Sequence, residues 1–102
     1  MELNEYQRKS RETAIYKDQT SVNGLTYAVL ALCGEAGELA NKLKKHLRAG
    51  TEPDAEVLAD ELGDVLWYTA AVAQELGYNL EAVAIHNINK LAARKAAKTI
   101  TG

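Results

Sequence analysis

Apolar residues in this chain recur every three or four positions and nowhere alternate as in a strand, so the pattern predicts helices throughout. The broadest stripe is Leu25, Val29, Leu32, Ala36, Leu39, Ala40, Leu43 and Leu47. It predicts a second helix from about Leu25 to Ala49, stopped by Gly50. Leu58, Leu62, Val65, Thr69, Val72, Ala73 and Leu76 predict a third, from about Asp54 to Leu76, with Pro53 near its first position and Gly77 at its end. A fourth, capped by Asn79, carries Leu80, Val83, Ala84, Ile88 and Leu91 and runs to about Ala97 before a frayed Thr-Ile-Thr-Gly tail. The first, from about Asn4 to Asp18, has only a thin stripe of Leu3, Tyr6, Ala14 and Ile15. Asn4 and Gln7 at its start have the spacing of a capping box. At 102 residues the expectation is one all-α domain of four helices.

Polar positions that interrupt these stripes carry the chemistry. Leu32-Cys-Gly-Glu35-Ala-Gly-Glu38-Leu39 is echoed by Leu58-Ala-Asp-Glu61-Leu-Gly-Asp64-Val65. In each copy two acids stand three residues apart at the edge of the apolar arc, one turn from each other. The short turn Gly50-Thr-Glu-Pro53 makes the second and third helices antiparallel neighbours. Glu35 and Asp64 are equidistant from a point beside Gly50, and so are Glu38 and Glu61, which brings all four acids to similar height. Gly37 and Gly63 precede the second acids. Glycine inside a helix costs about 1 kcal/mol relative to alanine, so a matched pair predicts close approach of another helix or another subunit.

Four clustered carboxylates need a counter-charge. One reading pairs them at the surface with Lys42, which shares the face of Glu35 and Glu38, and with neighbouring lysines. The other gives them a hard divalent cation bound through oxygen: Mg²⁺, with Mn²⁺ as an alternative. A di-iron bundle wants Glu-x-x-His, and neither His46 nor His86 has an acid three residues before it. On the fourth helix Asn87 falls inside the apolar arc, and Lys90 and Arg94 follow along its edge, where they would suit phosphate oxygens. Tyr68 lies one turn beyond Asp64 and reads equally as core or as a substrate contact.

Composition narrows the partners. A net charge of −2 leaves no footprint for a large nucleic acid. A single cysteine, Cys33, excludes an intrachain disulfide and is expected to pack as a small hydrophobe. No signal peptide or membrane-length apolar run is visible, so a cytoplasmic protein without a membrane partner is expected.

Gly34-Glu-Ala-Gly-Glu-Leu-Ala40 with Asp60-Glu-Leu-Gly-Asp-Val-Leu-Trp-Tyr68 resembles the MazG-type all-α nucleotide pyrophosphohydrolases. Asn87-Ile-Asn-Lys-Leu-Ala-Ala-Arg94 looks like that family's downstream N-x-x-K-L-x-x-R stretch. The resemblance implies a four-helix MazG-like bundle assembling into a homodimer or homotetramer. It also implies hydrolysis of a (deoxy)nucleoside triphosphate to the monophosphate and pyrophosphate, as in house-cleaning of the nucleotide pool. By that analogy Glu35, Glu38, Glu61 and Asp64 are the catalytic and Mg²⁺-binding residues. Lys42, Tyr68, Asn87, Lys90 and Arg94 would contact substrate, and the first helix would help shape the base pocket. The rival expectation is a non-catalytic helical adaptor or regulator.

Overall fold

The computed structural model describes the backbone of residues 1–101 and the side chains through Lys98. Four α-helices follow one another, α1 (Leu3–Ser10), α2 (Val22–Ala49), α3 (Ala55–Glu75) and α4 (Leu80–Thr101), with a 3₁₀ turn at Arg11–Thr13. No strand occurs among the described residues.

The centre is the α2–α3 hairpin, and its turn is closed by local hydrogen bonds. Gly50 adopts φ +69°, the left-handed geometry that ends a helix, and Thr51 N–H bonds back to the His46 carbonyl at 3.1 Å. Asp54 caps α3 by accepting from the N–H groups of Glu56 and Val57. His46 spans the turn, its Nε2 accepting from Asp54 N–H while Nδ1 lies 3.0 Å from Thr51 Oγ1. These bonds hold the two acid-bearing helices antiparallel.

The first helix is shorter than its sequence predicts. Ser10 Oγ donates to the Gln7 carbonyl and Thr13 Oγ1 to the Ser10 carbonyl, so hydroxyls compete with the helical ladder where it fails. Residues 14–20 then run irregularly, with Asp18 and Thr20 at positive φ. Glu75 of α3 pins this linker, accepting from Tyr16 Oη at 2.7 Å and from Thr20 N–H at 2.8 Å. Gly24 makes room for it: a Cβ there would collide with the Asp18 carbonyl and come within 2.8 Å of Glu75 Oε1. Ile15, assigned to the apolar stripe by spacing, is 92% exposed because the helix ends before it.

Asn4 and Gln7 do cap a helix, but it is α4 rather than their own. Gln7 Oε1 accepts from Leu80 N–H at 2.8 Å, Asn4 Oδ1 from Glu81 N–H at 3.0 Å and Asn79 Oδ1 from Ala82 N–H at 2.8 Å. Three successive orphan donors of the α4 N-terminus are thereby satisfied. Gln7 Nε2 also donates to the Tyr78 carbonyl at 3.0 Å, and the side chain is 95% withdrawn from solvent. The start of α1 has no side-chain cap.

Among the described residues only small side chains are fully enclosed, Ala28, Ala70 and Ala71, with Ala73 and Leu80 nearly so. Many residues of the predicted stripes stay open, among them Val29, Leu43, Leu47, Leu62, Leu76, Val83, Ile88 and Leu91. The cause is the course of α4. It packs against α1 and α3 near its beginning, makes no substantial contact with α2, and is exposed at every residue from Ile85 to Lys98. The expected four-helix bundle is therefore not closed within one chain. A radius of gyration of 16.8 Å says the same, against about 13 Å for a compact domain of this length. Helix α4 also continues to Thr101 in place of a frayed tail from Thr99; Gly102 lies outside the described residues. A Cβ at Gly37 or Gly63 would meet nothing within 4 Å, so the close approach expected there is not made inside the chain. Cys33 is exposed rather than packed.

Candidate active site

The hairpin brings the two acidic motifs together. Glu35, Glu61 and Asp64 each offer a carboxylate oxygen, and these atoms all lie within 4.8 Å of one another. Glu35 and Glu61 are half-buried and Asp64 is exposed. Burial raises the Glu35 carboxyl above its ordinary range, and repulsion from Asp64, then Glu61, then Glu38 raises it further. Glu38 thus acts on the cluster electrostatically but stands outside the group of three. No ion pair links Lys42 to any of the four acids among the described residues.

Beside the acids lies an open cavity of about 310 Å³ lined by Thr13, Glu35, Asp64, Trp67 and Tyr68. Tyr68 occupies the wall expected from its place one turn beyond Asp64. Its hydroxyl is pushed up to about 12 by hydrogen bonding with the Tyr27 side chain, then by burial and the nearby negative charge. Tyr27 stacks on Tyr16 at 5.2 Å between centroids, so the aromatic wall continues into the linker. Trp67 and Thr13 were not singled out by spacing. Trp67 lies inside the second motif, three residues after Asp64 and hence one turn along the same face, a signal the sequence does contain. Thr13 reaches the site only through the 3₁₀ turn, which the sequence pattern does not reveal.

The α4 residues do not join the cluster. Asn87 lines a different groove, with Leu3, Leu66, Thr69, Leu80, Val83 and Ala84, and it is exposed rather than buried. Lys90 and Arg94 lie further along the exposed part of the same helix. Lys42 is half-buried on α2, one turn beyond Glu38.

The MazG nucleotide pyrophosphohydrolase domain matches residues 24–98, a span that holds both acidic motifs and most of α4. This chain belongs to the MazG family. It is 43% identical over 109 residues to the Gene 37 protein of Mycobacterium phage L5, covering 100% of this chain and 96% of that protein. No solved structure matches the chain. MazG proteins are hydrolases of the pyrophosphohydrolase type and generally depend on a divalent metal, which accords with the all-oxygen cluster. Among the described residues no helix is long and apolar enough to cross a membrane.

Proposed function

We propose that the protein is a Mg²⁺-dependent nucleoside triphosphate pyrophosphohydrolase, cleaving a (d)NTP between its α- and β-phosphates to yield a (d)NMP and pyrophosphate. The observation that supports this most is the convergence of Glu35, Glu61 and Asp64 beside a cavity, in a chain of this family. An all-carboxylate donor set suits a hard divalent cation, Mg²⁺ first and Mn²⁺ as an alternative, and relief of the repulsion felt by Glu35 favours its binding. Glu35, Glu61 and Asp64 would hold the ion with Glu38 close by, and when bound it supplies charge neutralisation for the triphosphate and a more acidic water. A carboxylate of the cluster takes the proton of the attacking water, which must stand within hydrogen-bond reach of it. Tyr68, in the cavity wall, contacts sugar or base.

Lys42, Asn87, Lys90 and Arg94 serve the phosphates. Because α4 leads its polar residues away from the acids of its own chain, Asn87, Lys90 and Arg94 reach a cleft only across an interface. The protein therefore works as a homodimer or homotetramer, in which α4 of one copy closes the cleft of another. The open apolar faces of α3 and α4 support this assembly.

The test is a panel of canonical and modified (d)NTPs assayed for product with and without Mg²⁺. Metal-dependent release of pyrophosphate is expected from at least one of them. Glu38→Gln and Asp64→Asn should each remove most of it while helical content stays intact. Release of orthophosphate, or activity that survives both substitutions, contradicts the reading; complete inactivity across the panel favours a non-catalytic adaptor.

A further inference from the structure

Of the cavity's five lining residues, two are acids, two are aromatic and one is Thr13. A nucleotide has the same two chemical halves, a polyanion and a planar ring. We infer that Trp67 is the stacking platform for the nucleobase, held ready by Arg11 and Thr13, so that the site reads a base by its face rather than by its hydrogen-bonding edge. This rests on the nucleotide reading above and goes beyond it by naming what recognises the base.

Three observations carry the inference. Trp67 already spends its only polar group: Nε1–H donates to Thr13 Oγ1 at 3.0 Å, and that hydroxyl donates in turn to the Ser10 carbonyl at 3.1 Å. Tyr68 meets the ring in a T-shaped contact at 4.8 Å between centroids, and what Trp67 presents to the cavity it lines is ring surface without a free polar group. Second, the Arg11 guanidinium sits 5.0 Å from the Trp67 ring centroid. Its Nε and Nη2 both donate to Ser10 Oγ, at 3.2 and 3.1 Å, while Nη1 is buried without a partner. An unpaired buried guanidinium N–H is unfavourable. The cation–π attraction over the indole is the visible compensation for that arrangement. Third, Ser10 is itself buried and donates to the Gln7 carbonyl at 2.7 Å, so the support behind the ring is anchored in α1. A ring fixed in this way loses little conformational freedom when a base stacks on it.

Every base has a π-face, so such a platform accepts purines and pyrimidines alike and disfavours a polyphosphate with no base. Stacking of one base on an aromatic side chain corresponds to roughly five- to 150-fold in affinity.

Trp67 is the single tryptophan of the chain, so the fluorescence of the intact protein reports on this ring alone. We would titrate wild type, with Mg²⁺, with α,β-imido nucleotides that cannot be cleaved and with inorganic tripolyphosphate. Nucleotides of either base class should quench the emission, and tripolyphosphate should leave it unchanged. For a hydrolysed nucleotide, Trp67→Leu should raise KM by about tenfold or more with little change in kcat, and Trp67→Phe, which keeps a ring, should recover most of the loss. Equal quenching by tripolyphosphate, or an unaltered KM in a folded Trp67→Leu protein, overturns the platform. The fluorescence arm uses only wild type, so misfolding of a variant does not remove the test. If nucleotides quench but none is hydrolysed, the platform stands and the hydrolase reading falls. If hydrolysis is robust while neither quenching nor the KM effect appears, the platform falls alone.

Discussion

Neutralising the four acids together, with Glu35→Gln, Glu38→Gln, Glu61→Gln and Asp64→Asn, should stabilise the metal-free protein. Oxygens of Glu35, Glu61 and Asp64 lie within 4.8 Å of one another. Two unit charges at that range repel by about 1 kcal/mol in water-like surroundings, and by three to four times as much at an effective dielectric of about 20. Asp64 is exposed and the two glutamates are half-buried, so solvent screening keeps the repulsion near the lower figure. Three such pairs give a gain of about 1–3 kcal/mol, or roughly 5–15 °C in Tm for a domain of this size. The pH dependence follows from Glu35, whose carboxyl is raised by burial first and by Asp64, Glu61 and Glu38 next. A raised folded-state pKa contributes stability that is fully present below the unfolded value and is lost as pH rises through the folded one. The advantage of the neutral variant should therefore be largest at neutral pH and shrink as pH falls through the glutamate range. Mg²⁺ or Mn²⁺ should raise the Tm of wild type, since binding to the folded state alone adds about 2.7 kcal/mol at a hundredfold excess over Kd. The variant should not respond. Thermal unfolding of both proteins, in EDTA and in metal, decides it. A variant that melts below wild type in EDTA, together with a wild type indifferent to metal, would refute the electrostatic reasoning and the metal site.

Gln7→Ala strips the buried Leu80 N–H and the Tyr78 carbonyl of their partners, so chemical denaturation should show a loss of about 2 kcal/mol or more; a change within about 0.5 kcal/mol would mean that α4 is not held by α1. Light scattering at micromolar concentration should give at least twice the chain mass of 11.1 kDa, and Ile88→Lys, at a position 65% exposed in the single chain, should shift the protein toward monomer. A monomeric wild type would leave the α4 residues without a cleft to serve.

Hydrophobic spacing located every helix because the punctuation is chemical and local. Gly50 and Gly77 stop helices by adopting positive φ, and Asp54 and Asn79 start them by accepting first-turn N–H groups on their own side-chain oxygens. The two ends of α1 were misjudged for a related reason. Asn4 and Gln7 carry the right groups for a cap, but a side-chain oxygen does not encode which helix it serves. The choice of α4 depends on how α1 packs across the α3–α4 turn. Ser10 and Thr13 end the helix through hydroxyl bonds that an apolar stripe does not register. The stripes of the second, third and fourth helices fall on α2, α3 with its C-cap, and α4, whereas Ala14 and Ile15 of the first lie beyond α1. The stripes mark apolar faces without saying what covers them, and α2, α3 and α4 leave much of that surface open within the chain.

The same distinction separates the two halves of the site. Three of the four acids came together as expected because a tight antiparallel hairpin fixes register, and Glu35 does feel Asp64 and Glu61; Glu38, expected at the height of Glu61, stands outside the group. Tyr68 was legible from its place one turn beyond Asp64, but the Thr13 side of the wall was not, because it is made by a contact across more than fifty positions of chain. Thr13 meets Trp67 and Tyr16 meets Glu75 only after the linker has bent back over α3. That bend depends on Gly24, whose missing Cβ leaves space for the Asp18 carbonyl and the Glu75 carboxylate. Gly24 matters through close approach, the role the spacing had assigned to Gly37 and Gly63. A glycine in a helix signals that something comes near, and at Gly24 it is the chain itself. At Gly37 and Gly63 a Cβ would meet nothing within 4 Å, and only the assembly proposed above would bring a neighbour to them.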